Sequence, residues 1–377
     1  LRDGDTTRYG GLGCRKAVAN IAGEINHAFS GKEFESQANL DHALCRLDGT
    51  TNKSRLGANA VLAVSLSFAR AAALQRGIPL YMLFRDLAKT EIRRLPRMTI
   101  NLFSGGKHAG NQVSVQDLLI IPSSATTLED GLAMASEVYQ AALRLLVKRY
   151  NMRWLTADEG GLAPPVANTK ELLDLAAESI LTAGLSPGVD IHIALDLAAS
   201  HFYENGRYQL DHEECDSFSM IAKLKEWIES YPLVSIEDGL AEEDWEGWSK
   251  LNTEIGSKVT LLGDDLLCTN TSRLRRAIDA KACNAMLLKL NQIGTISEAL
   301  DALQMARAAG WLVTVSARSG ETEDDWLADL AVGWSADQTK IGSITQSDRL
   351  SKYNRLLEIE HDLKLPVIGW PGKVEQK

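Results

Sequence analysis

Lys289 lies inside an apolar run, "MLLKLN", where an ammonium is costly to bury unless it is paired or neutral. Along the chain, other short apolar runs also end on charged residues. These are Asp196, Glu237 and Asp264, then Lys289 itself, then Arg318 and Lys340. One such carboxylate is unremarkable, since acids at strand ends often cap the next helix. The series is more informative, because three acids followed by three cations could share one mouth. The acids Asp196, Glu237 and Asp264 offer oxygen ligands with no His or Cys among them, which suits Mg²⁺ better than Zn²⁺. Asp238 and Asp265 adjoin two of them and either support them or point outward. Arg318, Ser319 and Lys340 suit a phosphate or carboxylate. A divalent cation and a lysine facing an anionic substrate are what is needed to remove a proton next to a carboxylate. The metal stabilises the enolate, and nearby positive charge lowers the pKa of the lysine that acts as base.

The elements that must position these residues are legible from periodicity. After Pro96, β-rich apolar runs alternate with helical stretches: "MTINLF", "DLLIIP", "IHIALDL", "LVSIED", "VTLLGDD", "AMLLKL", "WLVTVS" and "TKIGS". Apolar strands alternating with amphipathic helices predict a parallel sheet covered by helices, hence the α/β class. About eight such units fit a closed β/α barrel better than an open sheet, and a barrel brings all the C-terminal strand ends to one face. From Lys16 to about Leu87 the spacing is helical, stopping near Gly77 and Pro79. The charged "DLAKTEIRRLP" marks a boundary, dividing the chain into domains 1–95 and 96–377.

Bulk composition narrows the function classes. The chain has 377 residues, is 45% hydrophobic and 24% charged, and carries a net charge of −10, which argues against nucleic acid as a partner. The five cysteines (Cys14, Cys45, Cys215, Cys268, Cys283) are scattered with no CxxC pair, so they read as reduced thiols in a cytoplasmic protein. No apolar run suggests a bilayer crossing, so no membrane partner is expected.

Six segments then carry a resemblance: "LDGTTNKSRLGANAVLAVSLSFARAAA", "ADEGGLAPP", "SIEDGLAEEDWEGW", "GDDLLCTN", "LLKLNQIGTISEAL" and "SARSGETEDDWLADLAVG". In this order and across nearly the whole chain, the sequence resembles the enolases. The resemblance implies a modified, TIM-like β/α barrel with a smaller α+β N-terminal domain, two Mg²⁺ ions and a homodimer. It also implies reversible dehydration of 2-phospho-D-glycerate to phosphoenolpyruvate, a step of glycolysis and gluconeogenesis. Matched residue by residue, Lys289 is the general base, and Glu159 is the acid that acts on the departing hydroxyl. Lys340 neutralises the substrate carboxylate, and Arg318 and Ser319 hold the phosphate. Asp196, Glu237 and Asp264 ligate the first Mg²⁺. His108 lies on an active-site loop, and Gln116 precedes a second active-site carboxylate, Asp117. The chain opens at "LRDGD", and the resemblance implies that the family's first strands and a serine-containing mobile loop come before this point.

Three positions depart from the family pattern, one of them Gly239 at a strand exit, where the resemblance implies Pro. Asp117 stands where the resemblance implies Glu, and Ala317 where it implies His before the Arg-Ser pair. Asp is one methylene shorter than Glu, and Ala removes a hydrogen-bonding group on the leaving-group side. Three readings follow: an active 2-phosphoglycerate dehydratase, a divergent lyase for a related phospho- or phosphono-acid, and a non-catalytic relative. The last predicts loss of the metal ligands, and all three are present.

Overall fold

The eight apolar runs form eight strands of one closed barrel in a computed structural model that describes residues 1–151, 153 and 155–369. The helices of the N-terminal part come first. Helix α1 (Arg15–Asn20) runs through a π-helical turn into α2 (Asn26–Phe29). Helices α3 (Gln37–Asp48), α4 (Ala58–Arg76) and α5 (Leu80–Ala88) follow, and no strand lies among residues 1–95. Ser36 caps α3 by accepting from the Asn39 N–H, and Gly77 ends α4 in the left-handed conformation, as its position after the last periodic residue suggests. With 19 residues and a mean hydropathy of 1.2, α4 is long and apolar enough to cross a membrane by length and composition, a property the sequence reading passed over. It is a packing helix here, with Val61 and Ala69 fully buried.

The barrel opens with β1 (Arg97–Ser104) and β2 (Asp117–Pro122), continues through α6 (Leu128–Tyr150) and α7 (Thr169–Thr182), and reaches β3 (Ile191–Asp196). A small antiparallel flap of β4 (Tyr203–Glu204), β5 (Arg207–Leu210) and β6 (Glu213–Cys215) leads into α8 (Ser217–Ser230). Regular units follow: β7 (Leu233–Glu237) with α9 (Trp245–Ile255), then β8 (Thr260–Gly263) with α10 (Thr271–Asp279). Strand β9 (Ala285–Leu288) is followed by the short α11 (Leu290–Ile293) and by α12 (Ile296–Ala308). Then come β10 (Leu312–Ser316), α13 (Trp326–Gly333), β11 (Gln338–Gly342) and α14 (Ser347–Leu363). Around the barrel the order is β1-β11-β10-β9-β8-β7-β3-β2.

The barrel corrects one expectation. It is not wholly parallel, because β2 runs antiparallel to both β1 and β3. The stretch between β1 and β2 holds only a single 3₁₀ turn, Gly106–His108, and no crossover helix, so the chain reverses as a hairpin does. The two helices α6 and α7 then restore the direction before β3. This reversal matters chemically, because it puts the start of β2 at the face where the other strands end. Strand alternation divides the buried side chains between two faces: Leu118 and Ile120 join the main core, Leu119 and Ile121 a separate small cluster with Ala194.

The N-terminal helices are fastened to the barrel by polar bonds at its helix ends. Asp41 Oδ2 accepts from the backbone N–H (2.9 Å) and hydroxyl (2.7 Å) of Ser297 at the start of α12. The buried Lys53 pairs with Glu298 at 2.8 Å. Gly333 lets α13 meet α5 closely, since a Cβ there would come within 2.5 Å of the Tyr81 carbonyl oxygen.

Candidate active site

Strand register explains why the acids meet. Ser104 is paired with Asp117, Asp117 with Asp196, and Asp196 with Glu237, so three carboxylates occupy one row across neighbouring strands. Asp264 and Lys289 each follow the last residue of their strands, and Lys340 projects from within β11, opposite Ser316. Together they border a cavity of about 370 Å³. Of the residues singled out from sequence, His108, Gln116, Asp117, Glu159, Asp196 and Asp264 line it, as do Lys289, Arg318, Ser319 and Lys340. Glu237 is buried at 3% exposure and meets Lys340.

Two lysines hold the acids. Lys340 Nζ donates to Asp196 Oδ2 at 2.6 Å and to Glu237 Oε2 at 2.8 Å. Burial opposes its ammonium, but the Asp196 and Glu237 carboxylates outweigh that and hold its pKa well above the usual lysine value. Lys289 Nζ pairs with Asp264 Oδ2, and Gln292 donates to the other oxygen, Oδ1, at 2.9 Å. Burial also works against the Lys289 ammonium, yet Asp264 and Glu237 raise its pKa. The protein surroundings alone therefore do not give the lowered lysine pKa anticipated from sequence. Glu237 is pushed well above the ordinary glutamate range by burial first, and then by the Asp196 carboxylate.

Of the two alternatives open in the sequence, neither Asp238 nor Asp265 takes the outward one. Carboxylate oxygens of Asp238, Asp264 and Asp265 lie within 4.8 Å of one another. Both oxygens of Asp238, however, accept backbone N–H bonds, from Asp264 at 3.0 Å and from Asp265 at 2.7 Å. Asp238 thus points inward and buckles the loop that presents Asp264. Asp265 lines the cavity, and burial followed by Asp264 pushes its carboxyl up to about 6.

On the opposite wall, Asp117 Oδ1 accepts from Asn101 Nδ2 at 2.6 Å and from Ser104 Oγ at 2.7 Å. Its other oxygen is 3.4 Å from His108 Nδ1. Burial disfavours the His108 imidazolium, but Asp117 more than compensates and its pKa is raised. A Cβ at Gly161 would come within 2.8 Å of both Asn101 Oδ1 and Ser104 Oγ, so glycine there keeps this support intact. Glu159 is buried, and its pKa is raised by desolvation and then by Asp117. Gln116 Nε2 donates to Asp196 Oδ2 at 3.3 Å.

The anion-binding end is a loop held from below. Arg349 is fully buried and donates to the carbonyls of Arg318 and Ser319, each at 2.7 Å, and of Ile341 at 3.1 Å. The backbone is thus held while the Arg318 side chain is exposed and borders the cavity. Ala317 lines the cavity at 5% exposure, its N–H bonded to the Lys340 carbonyl at 2.9 Å.

These features are those of a family. Residues 93–374 match the model described as the enolase C-terminal TIM barrel domain, and residues 1–84 match that of the enolase N-terminal domain. The chain belongs to the enolase family. It is 46% identical over 366 residues to Enolase 1 of Methylococcus capsulatus, which covers 96% of this chain and 86% of that protein. It is accordingly an enolase-like hydro-lyase on a TIM-type barrel. Several residues that shape this enolase's mouth carried no sequence signal. Asn101 and Ser104 both reach Asp117 because the β1–β2 register shifts between Asn101 and Phe103, and a bulge of that kind is not written in residue types. Arg349 acts from a helix that follows the last strand. Lys107 and His201 reach the cavity from loops, whereas Gln292 lay within a quoted motif and was overlooked.

Proposed function

We propose that this enolase catalyses the reversible, Mg²⁺-dependent dehydration of 2-phospho-D-glycerate to phosphoenolpyruvate. The observation that carries the reading is that a half-buried lysine, Lys289, and a buried glutamic acid of raised pKa, Glu159, border a single cavity. Lys289 Nζ takes the C2 proton, and the electron pair moves into the substrate carboxylate to give an enolate. Collapse of the enolate forms the C2–C3 double bond and breaks the C3–O bond, with the hydroxyl leaving as water on a proton from Glu159. Lys340 meets the carboxylate, Arg318 and Ser319 meet the phosphate, and His108, Gln116 and Asp117 border the leaving-group side.

Asp196, Glu237 and Asp264 would hold the first magnesium. They fit it: the set is all oxygen, and Glu237 Oε1 is buried without a hydrogen-bond partner among the described residues. Bound there, magnesium would neutralise the carboxylates that hold Lys289 protonated and stabilise the charge developing on the substrate. A second magnesium, a homodimer and a cytosolic setting belong to the proposal through the family resemblance. The five free cysteines accord with a reducing compartment.

The test is to mix the protein with 2-phosphoglycerate and Mg²⁺ and follow enol-phosphate absorbance, then add a chelator in excess. Product formation that stops on chelation and resumes with added Mg²⁺ is expected; formation unaffected by chelation would refute the metal assignment.

Ala317 supports a second reading, a lyase for a related phospho-acid, because its side chain offers no hydrogen-bonding group at this point of the cavity wall. If that position limits only departure of the hydroxyl, Ala317→His should raise 2-phosphoglycerate turnover several-fold. An unchanged or lower rate, measured beside the parent chain, favours the related substrate.

A further inference from the structure

The base and the metal-facing carboxylate are joined by a ring of hydrogen bonds outside the residues assigned so far. The Lys289 backbone N–H donates to Thr269 Oγ1 at 2.9 Å, and that hydroxyl donates to Gln292 Oε1 at 3.0 Å. Gln292 Nε2 then donates to Asp264 Oδ1, and Asp264 Oδ2 closes the ring on Lys289 Nζ. The direction of each bond is fixed. An ionised carboxylate can only accept, so Asp264 requires the amide nitrogen of Gln292, and this turns Oε1 toward the Thr269 hydroxyl proton.

Backbone geometry gives an independent sign that the arrangement is imposed. Thr269 is fully buried with φ at 51°, and Cys268 before it has φ at 48°. A β-branched residue in the left-handed region is a true outlier, and it persists only where its surroundings over-determine it. The Cys268 and Leu267 N–H groups both bond back to the Asp264 carbonyl, so this tight turn begins at the carboxylate-bearing residue itself. It delivers the Thr269 hydroxyl to the point where the Lys289 side chain leaves the backbone.

We propose that Thr269 and Gln292 are positioning residues that hold the base Lys289 and the metal-facing Asp264 in one register. The proposal rests on the roles given to those two residues above. Thr269 fixes the root of the lysine and the plane of the Gln292 amide; Gln292 fixes the carboxylate. Without them, Asp264 keeps its charge but loses one of two restraints. Misplacement of a reacting group by about 1 Å costs roughly 10²-fold in rate, and loss of partners behind a metal ligand costs about 10- to 100-fold in metal affinity or activity.

The test uses the full chain in D₂O with Mg²⁺ and 2-phosphoglycerate, reading C2-proton exchange by NMR, together with Mg²⁺ titration by calorimetry without substrate. Thr269→Val keeps the shape and removes the hydroxyl; Thr269→Ser keeps the hydroxyl. Exchange about 10- to 100-fold slower and Mg²⁺ binding about 10-fold weaker are expected for Thr269→Val and Gln292→Leu, with Thr269→Ser within about 3-fold of the parent. Parental exchange and Mg²⁺ affinity in folded Thr269→Val and Gln292→Leu, even with a lowered Tm, would overturn the proposal. Should Thr269→Val not fold, Gln292→Leu against Thr269→Ser decides it on the same readouts. A parent chain that exchanges no C2 proton overturns the Lys289 assignment, and this proposal with it, an outcome distinct from parental exchange that the variants leave unchanged.

Discussion

Lys289→Ala is expected to lower C2-proton exchange and overall dehydration together, each by about 10²- to 10⁴-fold, the range of a positioned general base. Lys340 is no substitute, because it is held by two carboxylates at 2.6 and 2.8 Å. The backbone bond from residue 289 to Thr269 survives the substitution, and Gln292 still holds Asp264, so the loop keeps its course. What is lost besides the base is the counter-charge to Asp264. Removing one partner of a largely buried pair destabilises by as much as about 3 kcal/mol, and Mg²⁺ binding should recover part of this. Isotope exchange by NMR and a thermal melt with and without Mg²⁺ separate the two effects. Exchange that persists at the parental rate in a folded variant removes Lys289 from the mechanism.

The departures Asp117 and Ala317 acquire a physical setting in the structure. Asp117 is clamped through one oxygen by Asn101 and Ser104, and offers the other to His108. The shorter side chain is therefore anchored through Oδ1, while Oδ2 and His108 Nδ1, 3.4 Å apart, are buried without a hydrogen bond among the described residues. Ala317 itself offers no hydrogen-bonding group to the cavity.

Much of this was legible because buried strands carry period and composition together. All eight barrel strands coincide with apolar runs read from the sequence, and the charged residues at or near the ends of β3, β7, β8, β9, β10 and β11 gather at one face, since parallel strands end together. The reversal of β2 was not legible. Strand direction depends on whether the connection holds a crossover helix, and "DLLIIP" reads the same either way. For the same reason Asp117 was found by its place in a motif, not by its place at a strand end: it starts its strand. Residues that work through backbone atoms were invisible. Arg349 grips two carbonyls of the anion loop, and carbonyls leave no trace in residue type. Asp238 could be read as supporting or outward-facing, and only its two backbone bonds decide for support.

The complementary substitution, Glu159→Gln, is expected to divide what Lys289→Ala removes together. Proton abstraction at C2 should persist within about 10-fold of the parent, whereas dehydration falls by about 10²- to 10⁴-fold, because departure of the hydroxyl loses its proton donor. The environment of Glu159 favours this role. Burial first, and then the Asp117 charge, hold its carboxyl above the ordinary glutamate range, so the acid form extends to higher pH than it would in solution. The sign for stability follows. A folded-state pKa raised above the unfolded value contributes stability below the unfolded pKa, and that contribution is lost as pH rises through the folded one. The sign for catalysis runs the same way: dehydration requires the acid form, so turnover should fall on the alkaline side as Glu159 ionises. The base requires the opposite state, and raising pH through the titration of Lys289 should increase exchange. One pH profile of dehydration and one of exchange, for parent and Glu159→Gln, therefore distinguish the two groups. If exchange collapses along with dehydration in Glu159→Gln, the glutamate is acting on the C2 proton, and the division of labour between Lys289 and Glu159 must be redrawn.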